Sequence, residues 1–378
     1  SLIWTFLFII NPSYPRTSYS NRPMSTPLPE KTDVLIIGAG AAGLMCAITA
    51  GQRARSVLVV EHANKVGKKI LMSGGGRCNF TNENASAENY ICQNPHFIKS
   101  ALSRYSAQDF IELVDRHGIN YHHKTLGQLF CDDSAQDIVN VLMTECEWAG
   151  VEVKMRNEVL TVNKTATGYQ VNTNEANYTC TSLVIASGGL TMPKLGASPI
   201  GYKVAEQFGL NVLPTTAALV PFTLHEHDKS RFDGLSGVSI FTEISSNCGE
   251  TFKENILFTH RGLSGPAVLQ ISSFWQAGEP VTINLLPGHN LNEIIGDWRQ
   301  HQAQKSIKNL LATLLPKRFI ECLVESNDIS DKAVNQLSHT EVKAIHAFIH
   351  EWQIKPNGTE GYRTAEVTLG GVDTDELS

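Results

Sequence analysis

Residues 33–61 constrain the fold more than any other stretch of the chain. Asp33 opens an unbroken apolar run, Val34-Leu-Ile-Ile37, the pattern of a strand buried on both faces of a parallel sheet. It runs into Gly38-Ala-Gly40-Ala-Ala-Gly43 and then an apolar segment to about Arg53 with Leu44, Ala47 and Ile48 on one side, which reads as a helix. Ser56-Val-Leu-Val-Val60 is a second strand, and Glu61 stands at its end. Strand, GxGxxG, helix, strand and terminal acid form the dinucleotide-binding unit. Gly38 permits the tight turn, Gly40 lets backbone approach a diphosphate, and Gly43 lets the helix pack closely on the strand. The helix start, including Ala41 and Ala42, offers unpaired N–H groups and a positive dipole end to phosphate. Glu61 can accept hydrogen bonds from ribose hydroxyls. The unit does not distinguish FAD from NAD.

The next segment is unusual. Lys69 and Ile70-Leu-Met lead into Ser73, Gly74, Gly75, Gly76, Arg77, Cys78 and Asn79, a polar, backbone-exposed loop with a fixed cation. Such a loop can set N–H groups around an anionic or carbonyl-rich ligand. KKILMSGGGRCNFTN closely resembles the signature loop of a bacterial FAD-dependent flavoprotein family that includes aminoacetone oxidase and a reductase of unsaturated 3-oxo bile acids. The resemblance continues through Leu183-Val-Ile-Ala-Ser187-Gly188-Gly189, Pro193-Lys-Leu-Gly196 with Gly201-Tyr202, Ala218-Leu-Val-Pro221, Leu257 to Pro266 and Ala365 to Val372, and spans nearly all of residues 31–372. The chain departs from the family at Gln128 and Cys131, where Arg and Pro are usual. It also stops at Ser378, before the family's closing Gly-rich strand and helix, so the resemblance implies a fragment.

The resemblance implies an α/β fold: a Rossmann-like FAD-binding domain of the GR2 type, with an inserted β-barrel-plus-helices domain. It places the adenine half of FAD on Gly38–Gly43 and Glu61, with Val159 near the adenine. The flavin then falls near Lys69, Ser73–Asn79, Ser187–Gly189 and Gly370–Gly371. It further implies an oxidoreductase that moves a hydride between the flavin and either a small organic substrate or NAD(P)H. With one complete dinucleotide unit in the sequence, either reduced nicotinamide visits the flavin transiently as donor, or the substrate itself is the donor and oxygen the acceptor.

Pattern divides the chain into a leader, 1–23, a first FAD-domain segment, 24–194, an inserted substrate domain, 195–354, and a return, 355–378. The leader contains an apolar run, Leu2–Ile10, with no basic residue before it, and Met24 reads as the natural start. Ser106 to Asp109 caps a helix bearing Phe110, Leu113 and Val114, and Asp137–Trp148 is another. Short alternating strands follow from Val151 to Tyr178, with a turn at Ala166–Gly168. In the inserted block, residues 238–244, 254–259 and 281–285 read as strands. Three helical faces follow, carried by Leu291 to Trp298, Ile307 to Leu314, and Ile345 to Trp352. Ser338-His-Thr-Glu341 is a capping box.

The 378 residues carry 31 Lys and Arg against 37 Asp and Glu, a net charge of −6, with no basic run. That balance argues for a small-molecule substrate and against nucleic acid or an anionic membrane. The eight cysteines lack zinc-like or CxxC spacing, which fits buried thiols in the cytoplasm. For chemistry, His260-Arg261 precedes a helix opening at Ser264-Gly-Pro266 and can bind a carbonyl or carboxylate and relay a proton. Cys78 reads as packing rather than as a redox thiol. His122-His123 and His225-x-His227 lack a third ligand spacing, so no metal is expected. Two alternatives remain: an NAD-binding dehydrogenase, and an inactive flavoprotein fragment.

Overall fold

A computed structural model of the chain describes residues 8–10 and 30–377. The expected leader, 1–23, lies outside the described residues except for the short strand Phe8–Ile10. The chain divides into two compact units, residues 1–214 with 370–378, and residues 215–369. The second unit therefore begins and ends later in the chain than the expected 195–354. The two crossings fall within strands, Val212–Ala218 and Val367–Val372, so composition shifts around them do not mark the boundary.

The first unit is built on a seven-stranded sheet. In chain order its elements are β1 (Phe8–Ile10), β2 (Glu30–Ile37), α1 (Ala41–Gln52), β3 (Val57–Glu61), α2 (Lys68–Met72), β4 (Asn79–Asn82), α3 (Phe97–Arg104), α4 (Ala107–Arg116), β5 (Tyr121–His123), β6 (Gln128–Cys131), α5 (Ala135–Trp148), β7 (Glu152–Met155), β8 (Val159–Thr165), β9 (Gly168–Thr173), β10 (Asn177–Ile185) and α6 (Ile200–Gln207). The sheet order is β7-β3-β2-β10-β9-β8, with β1 pairing the end of β10, Leu183 to Ile185, on the edge that β9 occupies at its start. The first four of these strands run parallel, and β10, β9 and β8 form the antiparallel excursion. Leu35, Ile36, Val59 and Leu183 are fully buried, as strands covered on both faces require. On one face, α1 and α5 cover the sheet; Leu44, Ala47, Ile138 and Leu142 share a core with Ile36, Val59 and Val184. β4, β6 and β5 form a separate three-stranded sheet. The Ser106 capping box is present: Asp109 N–H donates to Ser106 Oγ at 3.2 Å and Asp109 Oδ2 accepts from Ser106 N–H at 2.6 Å.

The second unit has a seven-stranded antiparallel sheet. Its order is Trp352–Ile354, Val281–Asn284, Ser239–Ser245, Thr251–Thr259, Gly262–Ser264, Phe222–Thr223 and Gly358–Thr359. The pairing path is linear, so the strands expected as a barrel form an open ladder. Helices Leu291–His301, Ile307–Leu311, Lys317–Glu325 and His339–His350 share its core. Trp352, expected on a helical face, instead begins a strand opposite Ile283. It is buried in that setting too, which is why a period of 3.6 counted it. Among the described residues no helix is long and apolar enough to cross a membrane.

The Ser338 box carries a pH signature. The Lys332 ammonium lies 2.6 Å from Glu341 Oε1, and the N–H and O–H of Ser338 both donate to Oε2 at 2.8 Å. Together they hold the Glu341 carboxyl down at about 2. A depressed native pKa gives stability that is complete above the unfolded value of about 4.3 and is lost as pH falls through the native value. Thermal melts should therefore place wild type above Glu341→Gln at neutral pH, with the gap closing between about pH 4.5 and about pH 2. A gap independent of pH would refute this.

Candidate functional site

The glycines of the first unit fall into two steric classes. A Cβ on Gly38, whose φ is +110°, would lie 2.4 Å from the Ala186 carbonyl oxygen, and one on Gly43 would lie 1.9 Å from the Gly38 oxygen. Both positions are closed to any side chain. Gly40 has nothing within 4 Å of such a Cβ. The first two therefore clamp α1 onto the ends of β2 and β10, and Gly40 faces open space where a ligand can approach. Gly40 is also the N-cap of α1 and supplies no side-chain cap, so the first N–H groups of the helix, starting at Ala41 and Ala42, keep their donors for a ligand.

Glu61 is more engaged than the expected part of a ribose acceptor requires. One carboxylate oxygen accepts from Ala39 N–H and the other from Ala63 N–H, each at 2.8 Å. Oε1 also lies 3.1 Å from His62 Nδ1, whereas Oε2, with Ala39 as its partner, retains a further lone pair for a hydroxyl. The same residue thus locks the ends of β2 and β3 together and presents an acceptor. Val159 opens β8 opposite Thr173. Its near neighbour Asn157 donates its backbone N–H to the Glu61 carbonyl at 2.8 Å.

The signature loop is a kinked turn after α2, in which Gly74 and Gly75 take left-handed conformations (φ 56° and 68°). Gly74 stands against the Phe130 ring, 2.6 Å from a notional Cβ, whereas Gly75 and Gly76 face open space. Ser73 Oγ accepts from Asn79 N–H at 3.2 Å, and the Ser73 carbonyl accepts from Cys78 N–H at 3.0 Å. The Asn79 side-chain carbonyl is buried without a hydrogen-bond partner, an arrangement that costs free energy until a donor reaches it. Arg77 is exposed. Cys78 is buried, and burial pushes its thiol up to about 11, so at neutral pH it keeps its proton and lacks thiolate reactivity.

Other expected contacts gather around the same strand ends. Lys69 of α2 donates to Thr191 Oγ1 at 2.5 Å, joining the loop's helix to the segment that follows Gly189. On α6, Gly201 approaches Ser187 Oγ to 2.6 Å from its notional Cβ, and Tyr202 lies 3.1 Å from that of Gly371. α6 therefore links Ser187–Gly189 to Gly370–Gly371. Thr191 and Phe130 were not foreseen as parts of this frame, whereas Tyr202 stands in the Gly201-Tyr202 pair of the family resemblance. Thr191 alone carried a signal, being two residues past the second glycine pair. The placement at the carboxyl ends of β2, β3 and β10 is where ligands bind in open α/β sheets.

His260 and Arg261 lie in the second unit, as the two-residue tip between strands Thr251–Thr259 and Gly262–Ser264. His260 is exposed, and Arg261 sits 3.6 Å from the largely buried Glu360 carboxylate. His122 and His123 are bonded to Asp132 and Glu83, at 2.7 and 3.1 Å. No metal-binding cluster occurs among the described residues.

The model of the HI0933-like protein Rossmann domain matches residues 32–378. "Ribosomal RNA dihydrouridine synthase" of Escherichia coli is 56% identical over 92% of this chain and 87% of its own length. The protein of the same name from Haemophilus influenzae is 49% identical over 91% and 86%. "3-dehydro-bile acid delta(4,6)-reductase" of Clostridium scindens is 25% identical over 90% and 87%. All three bear enzyme names, as the expectation of an enzyme requires. The expectation of a small-molecule substrate without nucleic acid is corrected, because the two relatives of highest identity here are named for action on RNA. The net charge of −6 is an average over the whole chain, whereas RNA contact depends on the local field at one face.

The two steric classes of glycine make opposite predictions. Gly40→Thr should leave the melting temperature of the apoprotein near that of wild type, because Thr caps a helix about as well as Gly, and weaken dinucleotide binding by about tenfold or more. Gly43→Ala should destabilise the fold itself by about 1–3 kcal/mol through overpacking. Denaturation and cofactor titration of both variants measure this; equal effects on both quantities would contradict it.

Proposed function

The chain belongs to the HI0933-like Rossmann family, and from that premise we propose that it is an FAD-dependent enzyme that reduces uridine to dihydrouridine in ribosomal RNA. The observation that carries this reading is 56% identity across 92% of the chain to a protein of that name, set against 25% to a bile-acid reductase.

The residues present fit FAD. Gly40 leaves room for the diphosphate at the start of α1, Glu61 keeps acceptor capacity for the ribose, and Gly75 and Gly76 offer unobstructed backbone. The unpaired Asn79 carbonyl awaits a donor of the kind a flavin ring N–H provides. When bound, FAD supplies two-electron chemistry as hydride. Saturating the C5–C6 double bond of uracil takes one hydride and one proton, and leaves the glycosidic bond untouched. The protein's share is to hold the cofactor at the strand ends and to keep its polar groups fixed there. Lys69 and Thr191 brace the loop, and Arg77 is an exposed cation beside it for a phosphate. Reduced nicotinamide serves as a visiting donor, since the chain carries a single strand-GxGxxG-helix-strand-acid unit.

The purified chain should show a flavin spectrum that bleaches with NADPH under anaerobic conditions. Ribosomal RNA lacking the modification should then restore the oxidised spectrum and gain the mass of two hydrogens at a uridine. Reoxidation by steroid enones, with no effect of RNA, would sink the reading.

A further inference from the structure

The small sheet beside the signature loop ends in a turn that does something costly. β4 leaves the loop at Asn79 and pairs with β6, Asn79 opposite Phe130 and Asn82 opposite Gln128. At the rise of a strand, the far end of this ladder lies roughly 10 Å from the loop. There the turn Thr125–Gly127 places Leu126 at φ 60°, ψ 28°, with 63% of its surface exposed. Among the described residues Leu126 alone is both a large exposed apolar side chain and a non-glycine at positive φ. A branched side chain is disfavoured there, and Gly or Asn would hold the same turn without strain.

The surroundings keep it in that state. Asn82 Nδ2 donates to the Leu126 carbonyl at 3.0 Å, Asn84 Nδ2 reaches the same oxygen at 3.4 Å, and Glu83 N–H donates to the Gly127 carbonyl at 2.9 Å. Two side-chain amides and a backbone bond therefore fix a leucine that points into water. Next to it, the Lys124 ammonium lies 3.7 Å from the centre of the Phe130 ring, the ring that walls Gly74. The carboxylates of this edge, Glu83 and Asp132, are hydrogen-bonded by His123 and His122.

A base stacked inside folded RNA cannot reach a cofactor, so an enzyme acting on it must swing it out and meet the cost of unstacking. Proteins that open a stack do so with a rigid apolar wedge between base steps. We propose that Leu126 is such a wedge: it enters the RNA stack and fills the place of the uridine that swings toward the Ser73–Asn79 loop, while Lys124 meets a neighbouring phosphate. This rests on the RNA reading above and assigns the residue that would give the enzyme access to paired or stacked uridines.

The test uses the full chain with FAD bound, and a panel of ribosomal RNA hairpins carrying 2-aminopurine beside a uridine. Wild type and Leu126→Phe should raise the 2-aminopurine fluorescence on binding. Leu126→Gly should bind, fail to raise it, and lose about tenfold or more of the single-turnover rate on hairpins. On an unstructured oligonucleotide the same variant should stay within about twofold of wild type. Its melting temperature should equal or exceed wild type, because glycine suits the turn. Unstacking and turnover by Leu126→Gly at wild-type levels would overturn the wedge, as would wild-type binding without unstacking. Unstacking by wild type without dihydrouridine formation would refute the proposed reaction and leave the wedge standing. Absence of RNA binding would defeat both.

Discussion

The first unit depends on a contact that only hydrogen atoms can make. Gly38 is pressed against the Ala186 carbonyl on one side, and its own carbonyl is pressed against Gly43 on the other. A methyl group at either glycine would push α1 away from the ends of β2 and β10, and the helix start would no longer face the crevice there. The remaining bonds ratify this approach rather than create it. Ala186 N–H donates to Ile37 O at 2.8 Å, Gly38 N–H to Val60 O at 2.9 Å, and Gly67 N–H to Ala39 O at 3.0 Å. Glu61 then closes the arrangement from β3 with its two backbone donors.

That constraint explains why this part of the fold was legible in the sequence. Steric exclusion leaves glycine no substitute, so Gly38 and Gly43 mark their positions unambiguously. Apolar runs such as residues 34–37 mark strands buried on both faces just as plainly. Capping boxes at Ser106 and Ser338 were legible because they are local, closed by side chains three residues from the cap. What failed was non-local. Trp352 fits a helical stripe by spacing, and only its pairing with Ile283, distant in sequence, makes it a strand residue. Lys317–Glu325, a short helix after Pro316, was overlooked beside the longer stripes although Phe319 and Ile320 are fully buried. At the site, the bond from Ala39 N–H to Glu61 and the brace from Lys69 to Thr191 depend on distant segments meeting in space, which spacing does not encode.

The error about nucleic acid has a different origin. A net charge of −6 describes the field far from the molecule, where individual charges blur. Closer in, several acidic groups are paired with fixed cations: Asp328 with Arg231 at 2.6 Å, Glu341 with Lys332 at 2.6 Å, and Glu360 with Arg261 at 3.6 Å. Exposed cations such as Arg77 and Lys124 are unaffected by that tally. Acting on a base within RNA asks for a few such groups and a means of opening the stack, not for a basic protein.

The division into units also orders events during synthesis. The second unit is one uninterrupted stretch, residues 215–369, whereas the first is split and includes Gly370 and Gly371. A ribosome releases the chain from its N-terminus, and domains fold as units once their residues have emerged. The second unit can therefore complete its core while the first still lacks Gly371, whose place is against Tyr202. Until then the N-terminal part of the first unit is held at its strand ends by contacts within residues 1–214, among them those of Gly38, Glu61 and Lys69.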